Sequence, residues 1–311
     1  MRNLPNIDAH ASQKNPLIKV GMLISYDYRY ARYSLPLLYD HADRIVLAID
    51  QDCRTWAGNP FAIDDSFWDW LQKLDVHKKI EIYRDDFHRP ELDTIGNDTR
   101  ERNMLAQYMG AGGWHVQVDS DEYFPDFGAF AHFLRRHSRW TEPEHPPVDI
   151  GAFWIPLFKQ TDDGFLYVKD AYESFPLATN RPEYKSARKS EHLIRYTRHC
   201  VFHQTWARPD EEILAKITNW SHSGDFNGRA YFERWKSIDQ HNYLDVHDFH
   251  PCVPEIWRSL GWTPGLDIPE FIANYRRNNP LTVPWGVYFR RRLGQVRKRL
   301  LTTAPQQTSF L

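Results

Sequence analysis

An α/β fold organised on a parallel sheet is what this sequence predicts, and three observations carry the prediction. Four short apolar runs, beginning near residues 17, 44, 79 and 114, have the length and aliphatic content of buried strands. Helix-spaced segments separate them, as crossovers between parallel strands require. The chain has 311 residues, 41% hydrophobic and 26% charged, so a substantial core can form without covalent staples.

The elements follow in order. Residues 1–16 are polar, contain Pro5 and Pro16, and read as a loose lead-in. Leu17 to Ser25 is the first strand, Arg44 to Asp50 the second, Lys79 to Tyr83 the third and Trp114 to Val118 the fourth. Tyr30 to Tyr39 has helical spacing despite Pro36. Asp65 to Leu74 is a helix whose acidic start suits the positive N-terminal end. A third helix spans Asn97 to Gly110, with Asn97 as its cap and the glycines from Gly110 to Gly113 as its stop. Beyond residue 125 the pattern changes. Asp149 to Lys159 and Phe165 to Val168 read as strands joined by a turn at Asp162-Asp163-Gly164. A strand over His199 to Gln204 precedes a helix from Pro209 to Trp220, and further helices are expected near 228–240 and 267–277. No linker divides the halves. Residues 1–277 therefore read as one domain, parallel over 1–125 and mixed over 126–277, with 278–311 as a basic extension.

Composition excludes several classes. The cysteines, Cys53, Cys200 and Cys252, are too few for a disulfide scaffold, lie too far apart for a CxxC zinc site, and suit a reducing, cytoplasmic setting. No apolar run approaches a transmembrane length, and no secretory leader is expected. The net charge of −2 hides an asymmetry: residues 271–311 hold eight Lys and Arg and no acid, which leaves the first 270 residues at −10. Such a tail suits an anionic partner. From Trp285 to Leu301 it can be wound as a helix with Trp285, Phe289, Leu293, Val296 and Leu300 on one face and arginines beside it. Peripheral contact of residues 285–301 with the inner face of a membrane is therefore expected. A terminal helix packed on the acidic body is the plainer reading. Nucleic acid is not expected, because no nucleic-acid-binding motif accompanies the charge.

Chemistry concentrates at Trp114 to Phe124. An apolar strand ends in Asp119-Ser120-Asp121-Glu122, and open parallel sheets bind ligands at the carboxyl ends of their strands. Three carboxylates in four residues repel one another unless a cation neutralises them, and hard oxygen donors suit Mg²⁺ or Mn²⁺. A solvated acidic turn gives the same letters, and Asp50-Gln51-Asp52 repeats the DxD pattern. Other clusters carry less. His241, His247 and His250 with Asp245 and Asp248 match no metal-ligand spacing, while Lys185, Arg188 and Lys189 read as a solvated basic turn. P-loop, GxGxxG, GxSxG and HExxH motifs are absent.

The stretch Arg100-Glu101-Arg102-Asn103, the Gly113-Trp114 pair before the fourth strand and the DSDEYF ending resemble glycosyltransferases of the GT-A fold, family two and its relatives. That likeness implies a Rossmann-type nucleotide-sugar-binding half over 1–125, an acceptor half over 126–277 and C-terminal helices. It implies Asp121 as a metal ligand, Asp119 near the ribose or metal, and Asp50 or Asp52 on the nucleotide, with Arg100 and Asn103 in the donor site. The segment from His203 to Lys216 is similar to a block in relatives of family 92, with Gln204 in place of their usual aromatic residue. At a strand end His203 can supply a further metal ligand, and Arg208 and Lys216 can meet phosphate charge; a hydrogen-bonded structural histidine, and an i,i+4 surface pair of Glu212 with Lys216, are the plainer readings.

The reaction implied is metal-dependent transfer of a sugar from a nucleotide-sugar donor to a carbohydrate or lipid-linked acceptor hydroxyl, as in cell-surface polysaccharide or glycolipid synthesis. An inverting enzyme needs a base, with Glu212 and Glu211 as candidates and Glu173 as their rival; a retaining one needs none. Trp154 and Trp206 are candidates to line an acceptor cleft, with core packing as the default. Two other readings stand beside this one. A nucleotidyltransferase of related fold would want glycine in the loop Ser25-Tyr26-Asp27-Tyr28-Arg29, which has none. A carbohydrate-binding protein is suggested by the 46 Trp, Tyr and Phe residues (12, 16 and 18), but the helix–strand alternation disfavours it.

Overall fold

A computed structural model describes residues 16–219 and 226–302. Strands β1 (Ile18–Leu23), β2 (Arg44–Asp50), β3 (Ile80–Asp85) and β4 (Trp114–Gln117) lie parallel in the order β3-β2-β1-β4. Helices α1 (Ala31–Tyr39), α2 (Asp65–Leu74) and α3 (Thr94–Met109) make the crossovers. The apolar runs form strands here because both faces are covered: every residue of β1 and β4 is buried. Lys19 on β1 is buried too, and its amine donates to the carbonyls of Met109, Gly110 and Ala111, closing the C-terminus of α3.

Helix α3 begins one turn earlier than the sequence suggests. Its cap is Asp93, which accepts from Gly96 N at 2.7 Å. Asn97 lies inside the helix, where its side chain accepts from Arg89 N and donates to the carbonyls of Trp56 and Arg89. Gly113 is required where it stands: its φ is +72°, and a Cβ there would meet Leu17 O at 2.5 Å.

The second half adds antiparallel strands. Strand β5 (Glu122–Tyr123) is followed by α4 (Phe127–Arg136), and then by the long β6 (Val148–Gln160), β7 (Gly164–Lys169), β8 (Glu173–Thr179) and β9 (Leu193–His203). The turn between β6 and β7 falls at Asp162 and Asp163, as the sequence indicates. Strand β8 joins the halves, antiparallel to both β4 and β6. Strand β9 runs parallel to β6 and antiparallel to β5, which sets His203 opposite Glu122. Helices α5 (Asp210–Asn219) and α6 (Gly228–Lys236), strand β10 (Ser259–Pro264), and helices α7 (Ile268–Asn278) and α8 (Trp285–Thr302) complete the described chain. The sheet is thus mixed and mostly open, with order β10-β7-β6-β8-β4-β1-β2-β3 along its main path. The basic extension is not detached from the body: Val283 N donates to Arg198 O, and Cys200 N donates to Leu281 O. The lead-in over residues 1–15 and the end of the expected helix at Trp220 lie outside the described residues.

Candidate active site

Two loops at the carboxyl ends of parallel strands face each other. One, after β1, carries Asp27; the other, after β4, carries Asp119, Ser120 and Asp121. Strand β1 has β2 on one side and β4 on the other, so this is the switch point where open α/β sheets form their ligand crevice. Ser120 Oγ donates to Asp27 Oδ1 at 3.4 Å.

Arg208 ties the loops together. It sits in the tight turn after β9, its side chain fully buried, and its Nη2 donates to Asp121 Oδ2 and, at 3.2 Å, to Asp27 Oδ2. The turn is held from within. Gln204 accepts from Tyr123 OH and donates to Ala207 O at 2.6 Å, and Arg208 Nε donates back to Gln204 O at 3.0 Å. Gln204 therefore acts as a bracket for Arg208, work that an aromatic side chain there would not perform. His203 Nε2 lies 3.5 Å and Lys216 Nζ 3.9 Å from the same Asp121 oxygen. Burial pushes the Asp121 carboxyl up, but His203, Arg208 and Lys216 outweigh that and hold it below the ordinary range. Burial and the Arg208 charge lower the Lys216 amine to about 8, so it still carries its proton at neutral pH.

A second group sits beside the first. Arg102 on α3, 2% exposed, pairs with Asp98 at 2.6 Å and Asp119 at 3.0 Å. Arg188 pairs with Asp119 and with Glu122 at 3.0 Å. Glu122 is fully buried and also accepts from Trp154 Nε1 at 2.7 Å. Trp154 stacks on Phe175 at 4.2 Å, and Arg188 lies over both rings. The charge balance that the sequence assigns to a divalent cation is therefore met largely by guanidinium groups of the chain itself. Arg188, read as part of a solvated basic turn, is a buried partner of two site acids.

The other expected residues fall as follows. Asp50 spends one oxygen on its own loop, accepting from the amides of Asp52 and Arg54, and the other on the loop after β3, accepting from the amides of Phe87 and His88. Asp52 pairs with Arg54 at 3.1 Å, and Arg100 donates to Asp86 O. Asn103 clamps residue 184, donating to Tyr184 O and accepting from Tyr184 N. Glu212 accepts from Tyr30 OH at 2.6 Å and lies 3.9 Å from Arg208 Nη1. Glu211 is on the exposed side of α5. Glu173 accepts from Trp257 Nε1 at 2.5 Å, which ties it to the core around Phe158 and Trp235. Trp206 is fully buried in that same core, the default for it. The structure thus brings together Asp119, Asp121, His203, Arg208, Glu212 and Lys216, and adds Asp27, Arg102, Arg188 and Glu122. Among the described residues no cluster of three or more His, Cys, Asp or Glu stands ready to hold a metal, the His241–His250 stretch included.

Glu101 marks the edge of this network. It is buried, accepts from Trp56 Nε1 at 2.7 Å, and its carboxyl is pushed up to about 8 by burial, with Asp98 adding to the effect. The native state then keeps a proton that the unfolded chain sheds from pH 4.5 upward, so this group's cost to stability is absent below 4.5 and grows until about pH 8. Glu101→Gln removes that cost. Melting curves are expected to coincide near pH 4 and to favour the variant at pH 9, by up to about 5 kcal/mol. The same difference at both pH values would contradict a neutral Glu101.

Neither models of protein families nor curated proteins match this chain.

Proposed function

We propose that the chain is a metal-dependent glycosyltransferase that moves a sugar from a nucleotide-sugar donor to an acceptor hydroxyl. The observation that carries this reading is the meeting of Asp27 and Asp121 on Arg208 at the carboxyl ends of β1 and β4.

The donor set fits a divalent cation that shares its shell with the substrate. Asp121 and His203 supply one hard oxygen and one imidazole nitrogen, a pair suited to Mn²⁺ or Mg²⁺. Their 3.5 Å separation is too long for a good hydrogen bond, so neither group saturates the other. Two side chains suffice where phosphate oxygens complete the coordination. Asp119 fits less well, because its oxygens are engaged by Arg102 and Arg188. When bound, such a cation neutralises charge on a departing diphosphate.

The chain's own groups do the rest. Arg208 and Lys216 offer charge-assisted hydrogen bonds to the diphosphate. Arg208 keeps Asp27 as a partner when a donor draws it from Asp121, so the exchange leaves no bare buried charge. Arg102 and Arg188 fix the 119–122 turn from behind. Glu212 is the base we assign. Tyr30 fixes its Oε2, and the side chain is 28% exposed, so Oε1 can take the acceptor's proton.

Incubation with a panel of nucleotide sugars and simple sugar acceptors tests the reading. Release of nucleoside diphosphate from at least one donor is expected with Mn²⁺ or Mg²⁺ and not in excess EDTA. Undiminished release in EDTA would remove the metal from the account.

A further inference from the structure

We infer that α8 is a docking surface for an anionic lipid bilayer, with its apolar stripe turned outward to enter the interface. The stripe is Trp285, Phe289, Leu293 and Val296, which are 56%, 51%, 68% and 55% exposed. At about 100° per residue these four fall within an arc of about 80°. The helix rests on the protein by another side. Val287 and Tyr288 pack against the core around Phe271 and Tyr275, and Gln295 is half-buried on the same side. From Phe289 to Val296 the stripe is therefore not an inner face left partly uncovered but points away from the protein, while Trp285 at its start is half-exposed with its ring held by Arg198.

Charge selects the occupant. Arg290 and Arg297 flank the stripe on one side and Arg292 flanks it on the other, all three exposed. No acid occurs between Phe271 and Leu311, while the first 270 residues carry −10. A second copy of the chain would bring the same arginines against one another, so self-association through this face is disfavoured. Aromatic and aliphatic groups bordered by arginines are the composition of a helix lying in the plane of an anionic interface. Each cation near such a surface is worth about 1 kcal/mol. Among the described residues no helix is long and apolar enough to cross a membrane, so the contact would be peripheral.

The start of the helix is also tied to the body. The Arg198 guanidinium lies 4.1 Å from the Trp285 ring centre, and the same side chain donates to Val283 O and Thr282 Oγ1. Arg198 belongs to β9, the strand that ends at His203. Docking through α8 would therefore fix the direction of the candidate site relative to the bilayer.

Flotation of the full chain with phosphatidylcholine vesicles, with and without 30% phosphatidylglycerol, tests this. Binding to the anionic vesicles alone is expected, weakening with salt. The triple variant Arg290→Glu, Arg292→Glu, Arg297→Glu should bind at least about 100-fold more weakly, since three cations contribute about 3 kcal/mol. Phe289→Ser with Leu293→Ser should also lose binding while melting unchanged, because both side chains are exposed. Donor hydrolysis by soluble variants should stay at the wild-type level, which separates this surface from the site. No binding to anionic vesicles at low salt, or equal binding by wild type and variants, would overturn the inference. So would a dimer that the serine variant abolishes.

Discussion

Asp121→Asn is expected to lower sugar transfer by at least about 1,000-fold while leaving the fold intact. Asp121 is the one carboxylate on which His203, Arg208 and Lys216 all converge, and all three contacts fall on its Oδ2. Removing its charge takes away the oxygen ligand of the proposed cation, whose effect on a departing diphosphate is several kcal/mol. About 4 kcal/mol corresponds to a factor of about 1,000 in rate. The fold should survive, because the amide keeps the carboxylate's shape and Arg208 retains Asp27. Full activity in the variant would sink the assignment. A collapse of melting temperature together with the activity would instead mark Asp121 as a structural partner of Arg208.

Arg102→Met carries the second large effect, and it is one of stability. Arg102 is almost wholly buried and answers Asp98, Asp119 and the side chain of Gln117. Removing one partner of a buried ion pair costs about 3–5 kcal/mol, because the other is left charged in a poor solvent. For a chain of this size that is a fall of about 5–8 °C in melting temperature. Asp119 keeps Arg188, so the bare group is mainly Asp98, whose carboxyl burial already pushes up. Adding Asp98→Asn to Arg102→Met should therefore recover about 1–2 kcal/mol. Independent, additive losses would show that the pair is not coupled as described.

The parallel half is legible in the sequence because β1 and β2 are largely aliphatic runs and helix-spaced segments such as α2 separate the strands. Strand β8 is harder to read, since Pro176 lacks the N–H that a central strand uses. The structure accommodates it opposite a register shift between Ile150 and Gly151 of β6. Helix α4 carried a readable signal, with Phe127, Phe130, Ala131 and Leu134 on one buried face. In the site, the acids are legible as a cluster at a strand end, and His203 and Arg208 as a block after a later strand. What neutralises the acids is not, because ion pairs form between groups far apart in the chain. Arg188 reaches Asp119 across 69 positions, and Arg208 reaches Asp121 across 87. A run of three acids therefore suggests a cation or solvent for its charge balance, when three arginines already supply most of it. The case for a cation rests instead on Asp121 and His203 standing 3.5 Å apart at the ends of their strands.

Calorimetric titration of nucleoside diphosphates into the protein tests that placement most directly. With Mn²⁺ present, at least one of uridine, guanosine, cytidine, thymidine or adenosine diphosphate is expected to bind the wild type. The same titration should show binding weakened at least tenfold in excess EDTA, and equally weakened in Asp121→Asn with Mn²⁺ restored. No binding of any of the five with Mn²⁺, or binding indifferent to both EDTA and Asp121→Asn, would contradict a metal–diphosphate site at Asp121.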